Sequence, residues 1–310
     1  MKLVNFKPIL IVPGEEKSIF FEIFFKSIKS KKFISPLILI CNKKILKKEI
    51  NKYKFYKNIE LIENDKIYNK KIRNRNIYFI NIKNSSSKNY IHNCFRAAFQ
   101  IIKRGLTDKL INGPINKSKT LRRKYPGMTE YISKNFNEKK FAMLIYNNKL
   151  SVSPITTHLP LKMVTKKLIT EKIMIINTFY NQKLGFKPKI GVVGLNPHCE
   201  SLSKFNEDTK IILPAINSLK KKNIQVSGPY PSDTIFLKNN RKKFNVIVGM
   251  YHDQVLTPIK TLFEYDAINI TMGLPFLRVT PDHGPNEMMV GKNKSNPISL
   301  IKAISFLDKR

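Results

Sequence analysis

The sequence predicts an α/β fold with a largely parallel sheet. Short apolar runs typical of buried strands alternate along the chain with amphipathic segments typical of helices. Such alternation indicates βα units, in which helices cover the faces of a parallel sheet. The 310 residues are long for one domain and suit two.

The predicted strands are short, rich in Ile, Leu and Val, and bounded by polar or turn residues, which favours strands over helices. An Asn147-Asn148 turn joins two of them as a hairpin. The strands are expected at 9–12, 37–40, 76–82, 110–112, 141–146, 151–156, 190–195, 245–251 and 268–274.

The predicted helices have apolar residues on one face. In the segment 90–103, Ser87 or Asn89 is a candidate cap. The last helix has a Ser or Asn cap and Pro297 in its first turn. Residues 41–76 are rich in Lys and Asn with weak periodicity, and we assign no helix there. The helices are expected at 18–29, 90–103, from about 128, on both sides of 190–195 (the second near 206–222) and at 295–307.

The chain carries a formal net charge of +36. One interpretation is a polyanion partner such as nucleic acid or an acidic membrane. The lysines, however, are scattered through every helix-like segment, and no RNA-binding signature or zinc-finger spacing accompanies them. Lys, Asn and Ile are abundant together, and all three have AT-rich codons. We therefore interpret the charge as compositional drift and predict neither a nucleic-acid nor a membrane partner.

The number and spacing of the cysteines and the hydropathy of the chain indicate its cellular compartment. Cys41, Cys94 and Cys199 are odd in number and far apart, so we expect no disulfide framework and predict a reducing, cytoplasmic location. The sequence has no run of about 18 uncharged apolar residues that would predict a transmembrane helix. The N-terminal apolar stretch is expected to be a first strand rather than a signal peptide, because no small-residue cleavage site follows it.

Three of the five histidines lie in short, turn-like motifs: His158 in TTHLPL, His198 at the end of GLNPH, and His252 in MYHDQ. Each motif follows a predicted strand, so all three are expected at strand ends. One such histidine alone is more often a hydrogen-bonded structural residue. Three together favour a catalytic divalent-metal site with ligands from separate strands, rather than a local zinc finger.

Imidazole ligands suit Zn, Co, Ni or Fe, whereas Mg tolerates them poorly. Asp253 and Asp233 are candidates for carboxylates that orient a metal-binding imidazole. For Asp233 the alternative is a helix N-cap in PSDTIF, and the sequence leaves the two interpretations open.

Several segments are candidates for binding an anion. GPINKSKT (113–120) combines a Gly-Pro turn with lysine and hydroxyl groups that could hold a phosphate, and Thr129 begins a predicted helix. Lys260 lies eight residues after His252, and Arg278 closes the strand-turn GLPFLR. Each alone is better explained as an ordinary surface group, because lysine is abundant throughout the chain. No GxGxxG motif supports a Rossmann dinucleotide site, and no GxSxG motif indicates a hydrolase.

Taken in order, eight motifs resemble the 4-hydroxythreonine-4-phosphate dehydrogenase family, whose enzymes serve pyridoxal phosphate biosynthesis. The resemblance extends over nearly the whole chain and is densest over 111–284. Any one motif would be weak, but eight in one order are specific. The motifs are GPINK, PGMTEY, TTHLPL, GLNPH, GPYPSDTIF, YHDQVLTPIK, NITMGLPFLR and PDHG.

The resemblance implies a two-domain α/β/α fold like that of isocitrate and isopropylmalate dehydrogenases. It implies a first domain of 1–127 plus about 275–310, a second of about 128–274, and an active-site cleft between them. It also implies a homodimer with a shared active site, in which one of the three metal-binding histidines comes from the partner subunit.

The resemblance also implies roles for single residues. His158, His198 and His252 match the metal ligands. Substrate-contacting positions are matched by Thr129, Lys260, Asn269 and Arg278. Lys260, through proton transfer, and Asp233 are the candidate catalytic residues; the cofactor-contacting residues are not assigned.

The implied reaction is the oxidation and decarboxylation of 4-phosphooxy-L-threonine to 3-amino-2-oxopropyl phosphate, with NAD or NADP and one divalent metal (Zn, Mg, Mn or Co). One alternative is a paralogue that oxidises another phosphorylated hydroxy acid, such as a threonate or erythronate phosphate. A decayed enzyme that binds polyanions and a phosphate acyltransferase of related fold are further alternatives.

The chain departs from the family pattern at several positions. The first loop reads PGEEKSIFFE (13–22) where the family has PGEPAGIGPE, and Met128 stands where the family has histidine. After His198 the glycine-rich AGEGG is replaced by CESLSK, and HGTA becomes HGPN at 283–286. The three histidines are unaffected by these changes.

Overall fold

The structure is a computed structural model that describes residues 6–63, 66–68, 72–73, 76–83, 89–116, 120–121, 125, 127–157, 159–201 and 205–308. Its strands are β1 Ile9–Val12, β2 Leu37–Cys41, β3 Ile59–Leu61, β4 Ile77–Asn81, β5 Lys109–Asn112, β6 Ala142–Tyr146, β7 Ser151–Pro154, β8 Ile190–Val193, β9 Val226–Tyr230, β10 Val246–Gly249, β11 Ile268–Met272 and β12 Leu277–Pro281. Its α-helices are α1 Phe20–Ser30, α2 Lys43–Lys52, α3 Tyr90–Lys103, α4 Met128–Asn135, α5 Lys166–Phe179, α6 Leu213–Lys220, α7 Ser232–Ile235, α8 Lys238–Arg241, α9 His252–Phe263 and α10 Ile298–Leu307.

The chain divides into two compact units. Unit 1 comprises Met1–Ile132 and Pro275–Arg310, and unit 2 comprises Ser133–Leu274. Each unit has its own portion of sheet with helices packed on it, as alternating apolar strands and amphipathic helices require.

In unit 1 the strand order is β3-β4-β2-β1-β5-β12, and each adjacent pair is parallel. Every residue of β1 and β2 is buried, which is the pattern of strands covered on both faces. Helix α3 packs on these two strands, while α10 packs on β5, β12 and α1.

In unit 2 the order is β11-β6-β7-β10-β8-β9. Strand β6 is antiparallel to both of its neighbours, β11 and β7, whereas β7, β10, β8 and β9 run parallel. One core cluster of this unit lies between the sheet and α9 and includes Val152, Ile247 and Val255, none of which is exposed to solvent. The parallel strands leave their carboxyl ends at one edge, and this edge carries the candidate site.

The α/β prediction and its largely parallel sheet are confirmed. All nine predicted strands are present, and α3 has the predicted bounds. Helix α1 begins at Phe20, two residues after the predicted start. The predicted hairpin of β6 and β7 is antiparallel, as expected.

The elements that were not predicted include β3, β9, β12, α2, α8 and α9. Helix α2 has few buried apolar residues, but Asn42 caps it by accepting hydrogen bonds from the Lys44 and Ile45 N–H groups. Strand β9 contains Gly228 and Pro229, which read as a turn. Strand β12 follows closely on a Gly-Leu-Pro sequence, and Arg278 lies inside this strand rather than closing a turn.

The helix caps differ in detail from the sequence-based expectation. Asn89 is the N-cap of α3, yet its side chain makes no capping hydrogen bond to a described residue. Ser87 lies outside the described residues. Pro297 is itself the N-cap of α10, and the Asn296 side-chain oxygen accepts a hydrogen bond from the Ile298 N–H at 2.9 Å.

The three cysteines are free thiols, and Cys41 and Cys94 are buried. Burial raises the pKa of Cys94 to about 12, so this thiol stays protonated and unreactive at neutral pH. Among the described helices, none combines the length and apolar character that a membrane crossing needs.

Two glycine-containing loops pack back to back in unit 1. Gly14 has φ of +85°, and a Cβ atom there would run into the Pro114 carbonyl oxygen. A Cβ at Gly113 would in turn run into the Pro13 carbonyl oxygen. The Glu15 N–H donates to the Pro114 oxygen at 3.0 Å. Both glycines are therefore needed for the close approach of two backbones.

Alanine at Gly14 should destabilise the protein more than alanine at Gly105. Both glycines have left-handed φ values, +85° and +81°, but a Cβ at Gly105 meets nothing within 4 Å. Both variants incur the cost of about 1–2 kcal/mol for a left-handed alanine. Gly14→Ala also forces two backbones apart, which adds about 2 kcal/mol. Urea unfolding of the two variants measures the difference, and equal losses would contradict the close-packing explanation.

Candidate active site

The three histidine-bearing segments follow adjacent parallel strands in unit 2. Strand β10 pairs in parallel with β7 on one side and with β8 on the other. The carboxyl ends of parallel strands meet at one edge of a sheet, where ligands bind in open α/β sheets. His198 follows β8 and His252 follows β10 at this edge. His158, which follows β7, lies outside the described residues.

His252 begins helix α9 directly after β10. Its ring Nδ1 lies 2.6 Å from the Asp253 carboxylate, and its side chain is 39% exposed. In a neutral imidazole, a carboxylate at this distance favours the tautomer with the proton on Nδ1, which leaves the Nε2 lone pair for a metal. This is how carboxylates orient metal-binding imidazoles, and it is the role expected of Asp253.

The backbone around two of these histidines is unusual. His198 and Cys199 have φ values of +55° and +64°, and Thr157, next to His158, has +49°. A β-branched residue such as threonine rarely adopts positive φ. Left-handed non-glycine residues cost about 1–3 kcal/mol each and concentrate at functional sites, where the surrounding structure holds them.

A buried carboxylate holds the loop that carries His198. Asp208 is fully buried. It accepts hydrogen bonds from the Leu195 N–H at 2.7 Å, the Asn196 N–H at 3.1 Å and the Asn196 side-chain amide at 2.9 Å. These three bonds fix the backbone that leads from β8 into His198.

Removing this carboxylate should destabilise the protein strongly. Asp208→Ala leaves three donors without their acceptor, and we expect a loss of about 3 kcal/mol or more in the free energy of unfolding. Glu207→Gln is the matched control, because the neighbouring Glu207 is partly exposed and accepts one bond from Asn196. Its loss should stay below about 0.5 kcal/mol. Denaturant titration decides between them, and similar losses would show that Asp208 has no special role.

Asp233 lies near this loop. It is exposed in the first turn of α7, and the N-cap of that helix is Pro231, so the N-cap alternative is wrong. Burial first, then the charges of Asp208 and Asp233, raise the pKa of the Cys199 thiol to about 11. The Asp233 carboxylate is therefore close enough to act electrostatically on Cys199, the residue after His198.

A second cluster lies in unit 1, around Arg278 on β12. Its Nε donates to the Asn112 side-chain oxygen at 2.9 Å, and its Nη1 donates to the Thr129 hydroxyl at 3.1 Å. Asn112 ends β5, which is the neighbour of β12, and Thr129 lies in the first turn of α4. The structure thus joins two predicted substrate-binding residues, Thr129 and Arg278, directly.

The guanidinium of Arg278 is desolvated. The residue is 5% exposed. Burial lowers its pKa to about 10, while the nearby Glu130 acts to raise it. The group therefore remains a cation at neutral pH, held in a fixed plane by two neutral partners. A buried guanidinium of this kind suits bidentate contact with a phosphate or carboxylate.

The other predicted substrate-binding residues, Lys260 and Asn269, are in unit 2. Lys260 is half-buried on α9, about 12 Å along the helix axis from His252. Asn269 lies on β11, and its amide nitrogen is 3.5 Å from the Met143 sulfur. Three strand spacings, about 14 Å, separate β11 from β10, so Asn269 and His252 are not immediate neighbours.

The proposed anion loop 113–120 is described in part. Lys117, Ser118 and Lys119 lie outside the described residues. The Glu15 carboxylate accepts hydrogen bonds from the Asn116 N–H at 3.0 Å and the Thr120 hydroxyl at 2.8 Å. A carboxylate of the chain itself therefore contacts groups that could otherwise serve an anion.

Within the described ranges, which omit His158, no three or more His, Cys, Asp or Glu side chains are grouped to hold a metal. The predicted three-histidine set stays a prediction. Sequence reasoning missed Asn112 and Asp208. Asn112 had a signal, a polar residue that ends an apolar strand before Gly-Pro. Asp208 had none, because the polar run NEDT resembles an ordinary helix start.

The fold belongs to the class of isocitrate-dehydrogenase-like α/β proteins. A solved β-decarboxylating dehydrogenase from Thermococcus kodakarensis superimposes with a TM-score of 0.55 at 11% identity, covering 97% of this chain and 82% of that one. This likeness concerns the fold alone. It confirms the predicted fold class.

The chain belongs to the family of the pyridoxal phosphate biosynthetic protein PdxA, whose family model matches residues 32–307. A 4-hydroxythreonine-4-phosphate dehydrogenase from Sulfurihydrogenibium is 42% identical over 64% of this chain and 64% of its own length. A D-threonate 4-phosphate dehydrogenase from Salmonella typhimurium is 35% identical over 67% of each. The solved 4-hydroxythreonine-4-phosphate dehydrogenase of Klebsiella pneumoniae has a TM-score of 0.80 at 27% identity, with coverage of 97% and 98%.

These similarities confirm the family that the eight motifs predicted. The family is one of oxidoreductases, since the relatives are named as dehydrogenases. The aligned part of the chain spans 64% of the length of the Sulfurihydrogenibium relative.

Proposed function

We propose that the chain catalyses the metal-dependent, NAD- or NADP-linked oxidation and decarboxylation of 4-phosphooxy-L-threonine to 3-amino-2-oxopropyl phosphate. The observation that carries this proposal is the placement of the three histidine-bearing segments at the carboxyl ends of the adjacent strands β7, β10 and β8. Membership of the PdxA family supports it.

The donor chemistry fits a divalent metal. His198 and His252 supply imidazoles, and the Asp253 carboxylate on Nδ1 of His252 is the partner that such ligands need. His158 would complete the set. When bound, Zn, Co, Mn or Mg would lower the pKa of the substrate hydroxyl and polarise the carbonyl that replaces it, while the nicotinamide would accept the hydride.

The chain's own residues would bind the substrate, neutralise its negative charges and supply a proton. Arg278, fixed by Asn112 and Thr129, would bind the phosphate or carboxylate. Asn269 would contact the substrate through its amide. Lys260 would donate the proton that replaces the departing carbon dioxide on the substrate carbon. Asp233 would orient an imidazole, in keeping with its place near Cys199.

We also propose that the protein is a cytoplasmic homodimer that shares its active sites, with one of the three histidines supplied by the partner subunit. The free cysteines support a reducing compartment. Analytical ultracentrifugation tests the dimer. A mixture of inactive His198→Ala and His252→Ala proteins that regains activity would support the shared site.

The central experiment measures NADH or NADPH formation from 4-phosphooxy-L-threonine. The metal-stripped protein is assayed after addition of Zn, Mg, Mn or Co, with D-threonate 4-phosphate as the competing substrate. We expect turnover that depends on added metal and releases one carbon dioxide per reduced nicotinamide. Absence of turnover with every metal and both cofactors would overturn the proposal.

A second candidate function is the oxidation of D-threonate 4-phosphate. The Salmonella typhimurium relative that carries this name is 35% identical. The two substrates share the phosphate and the β-hydroxy acid, so the metal and arginine sites serve both equally. A higher kcat/KM for the threonate in the same assay would favour this candidate.

A further inference from the structure

Gln254 is a buried side chain that joins two loops of the candidate site. It lies two residues after His252 in the first turn of α9 and is 9% exposed. Its side-chain oxygen accepts a hydrogen bond from the Met250 N–H at 2.7 Å. Its side-chain nitrogen donates to the Gly194 carbonyl oxygen, also at 2.7 Å.

The Gly194 contact reaches the loop that carries His198. Gly194 is the first residue after β8, and the next two residues donate their N–H groups to Asp208. A Cβ atom at Gly194 would lie within 2.7 Å of both the Asp208 carboxylate and the Cys199 sulfur. Gln254 and Asp208 therefore hold successive residues of one tightly packed loop.

The hydrogen bond to Met250 links Gln254 to the segments that carry His252 and His158. Met250 lies two residues before His252. Its carbonyl oxygen accepts hydrogen bonds from the N–H of Thr156 at 3.2 Å and from the Thr156 hydroxyl at 3.1 Å. Thr156 is buried and lies two residues before His158. Through Met250, the Gln254 amide is thus connected to all three segments.

We propose that Gln254 is a positioning residue, whose amide holds the loops of His198 and His252 in place and thereby sets the affinity of each of these histidines for its divalent metal. The inference rests on the proposed function. The role needs one acceptor and one donor on the same short planar group, which a glutamine supplies. An ionised glutamate offers acceptors only, and a methionine of similar size offers neither strong acceptor nor donor.

The test compares Gln254→Glu, Gln254→Met and the control Gln225→Met. Gln225 is an exposed glutamine of the same unit, just before β9. Each protein is stripped of metal, and Co²⁺ binding is measured by equilibrium dialysis and by the visible spectrum of the bound ion. The Tm of the metal-free protein and the kcat at rising Co²⁺ concentration are recorded in parallel.

We expect Gln254→Glu to keep the Met250 bond, lose the Gly194 bond, and bind Co²⁺ about 10- to 100-fold more weakly. Its metal-free Tm should fall, because a buried carboxylate then faces the Gly194 carbonyl oxygen without a donor, and excess Co²⁺ should restore most of kcat. Gln254→Met should lose more affinity, and the control should match the wild type. Co²⁺ affinity equal to the wild type in both Gln254 variants would overturn the inference, as would a loss that follows only the fall in Tm.

The outcomes separate this inference from the proposed function. A wild-type protein that binds Co²⁺ and turns over substrate, with Gln254 variants that do the same, overturns the positioning role alone. A wild-type protein that neither binds Co²⁺ nor oxidises either phosphorylated substrate overturns both.

Discussion

Replacing Arg278 with lysine should lower kcat/KM for the phosphorylated substrate about 100-fold. The guanidinium is buried and donates to Asn112 and Thr129 in one plane. A lysine keeps the charge but cannot reach both partners and an anion together. Two charge-assisted hydrogen bonds lost or weakened correspond to about 2.7 kcal/mol, which is a factor of about 100. Steady-state kinetics measures this, and the inhibition constant of inorganic phosphate should rise in parallel.

Arg104→Lys is the matched control for this prediction. Arg104 is exposed at the end of α3, where its guanidinium lies 5.1 Å from the Tyr68 ring centroid. Its replacement should leave kcat/KM within about twofold of the wild type, because Arg104 has no proposed contact with the substrate. It should also change the free energy of unfolding by under about 0.5 kcal/mol, as exposed substitutions usually do. If Arg278→Lys also stays within about twofold while its Tm is unchanged, Arg278 does not bind the substrate.

Replacing His252 with alanine should reduce kcat about 1,000-fold. Its imidazole is one of the proposed ligands, and metal-ion catalysis contributes several kcal/mol of stabilisation to the developing charge. Asp253→Asn should have a smaller effect, with metal affinity about 10- to 100-fold lower, because the imidazole remains but loses the carboxylate 2.6 Å from its Nδ1. Metal content after dialysis and kcat at saturating metal distinguish the two effects.

His92→Gln serves as the histidine control. His92 is on α3, with its Nε2 2.9 Å from the Thr120 carbonyl oxygen, and a glutamine retains a donor for that contact. Its metal content and kcat should match those of the wild type. A His252→Ala protein with unchanged metal content and rate would exclude His252 as a ligand.

The sequence predicted the fold well wherever the burial of apolar residues alone decides the structure. Strands β1 and β2 are buried on both faces, so they appear as unbroken apolar runs. Helix α2 was missed because a capping asparagine and a narrow apolar stripe stabilise it amid many lysines. Strand β9 was missed because it contains Gly228 and Pro229, which usually mark turns.

The candidate site was predictable only in part. Histidines after apolar runs identify strand ends, because strand and turn patterns are local. The partners of these residues are not local. Asn112 and Arg278 meet because β5 and β12 are adjacent, and Gln254 reaches Gly194 because β10 and β8 are adjacent. No spacing along the chain encodes such pairs, so their roles required the structure.

The back-to-back glycines 14 and 113 have a consequence for protein engineering and for comparison among relatives. The backbone of each loop occupies the space that a side chain on the other glycine would need. A larger residue at either glycine therefore requires the backbone of the opposite loop to move. Transplanting the first loop of a relative into this chain should therefore succeed only when residues 113–116 are transplanted with it. Across the family, the two segments should diverge as a matched pair rather than one at a time.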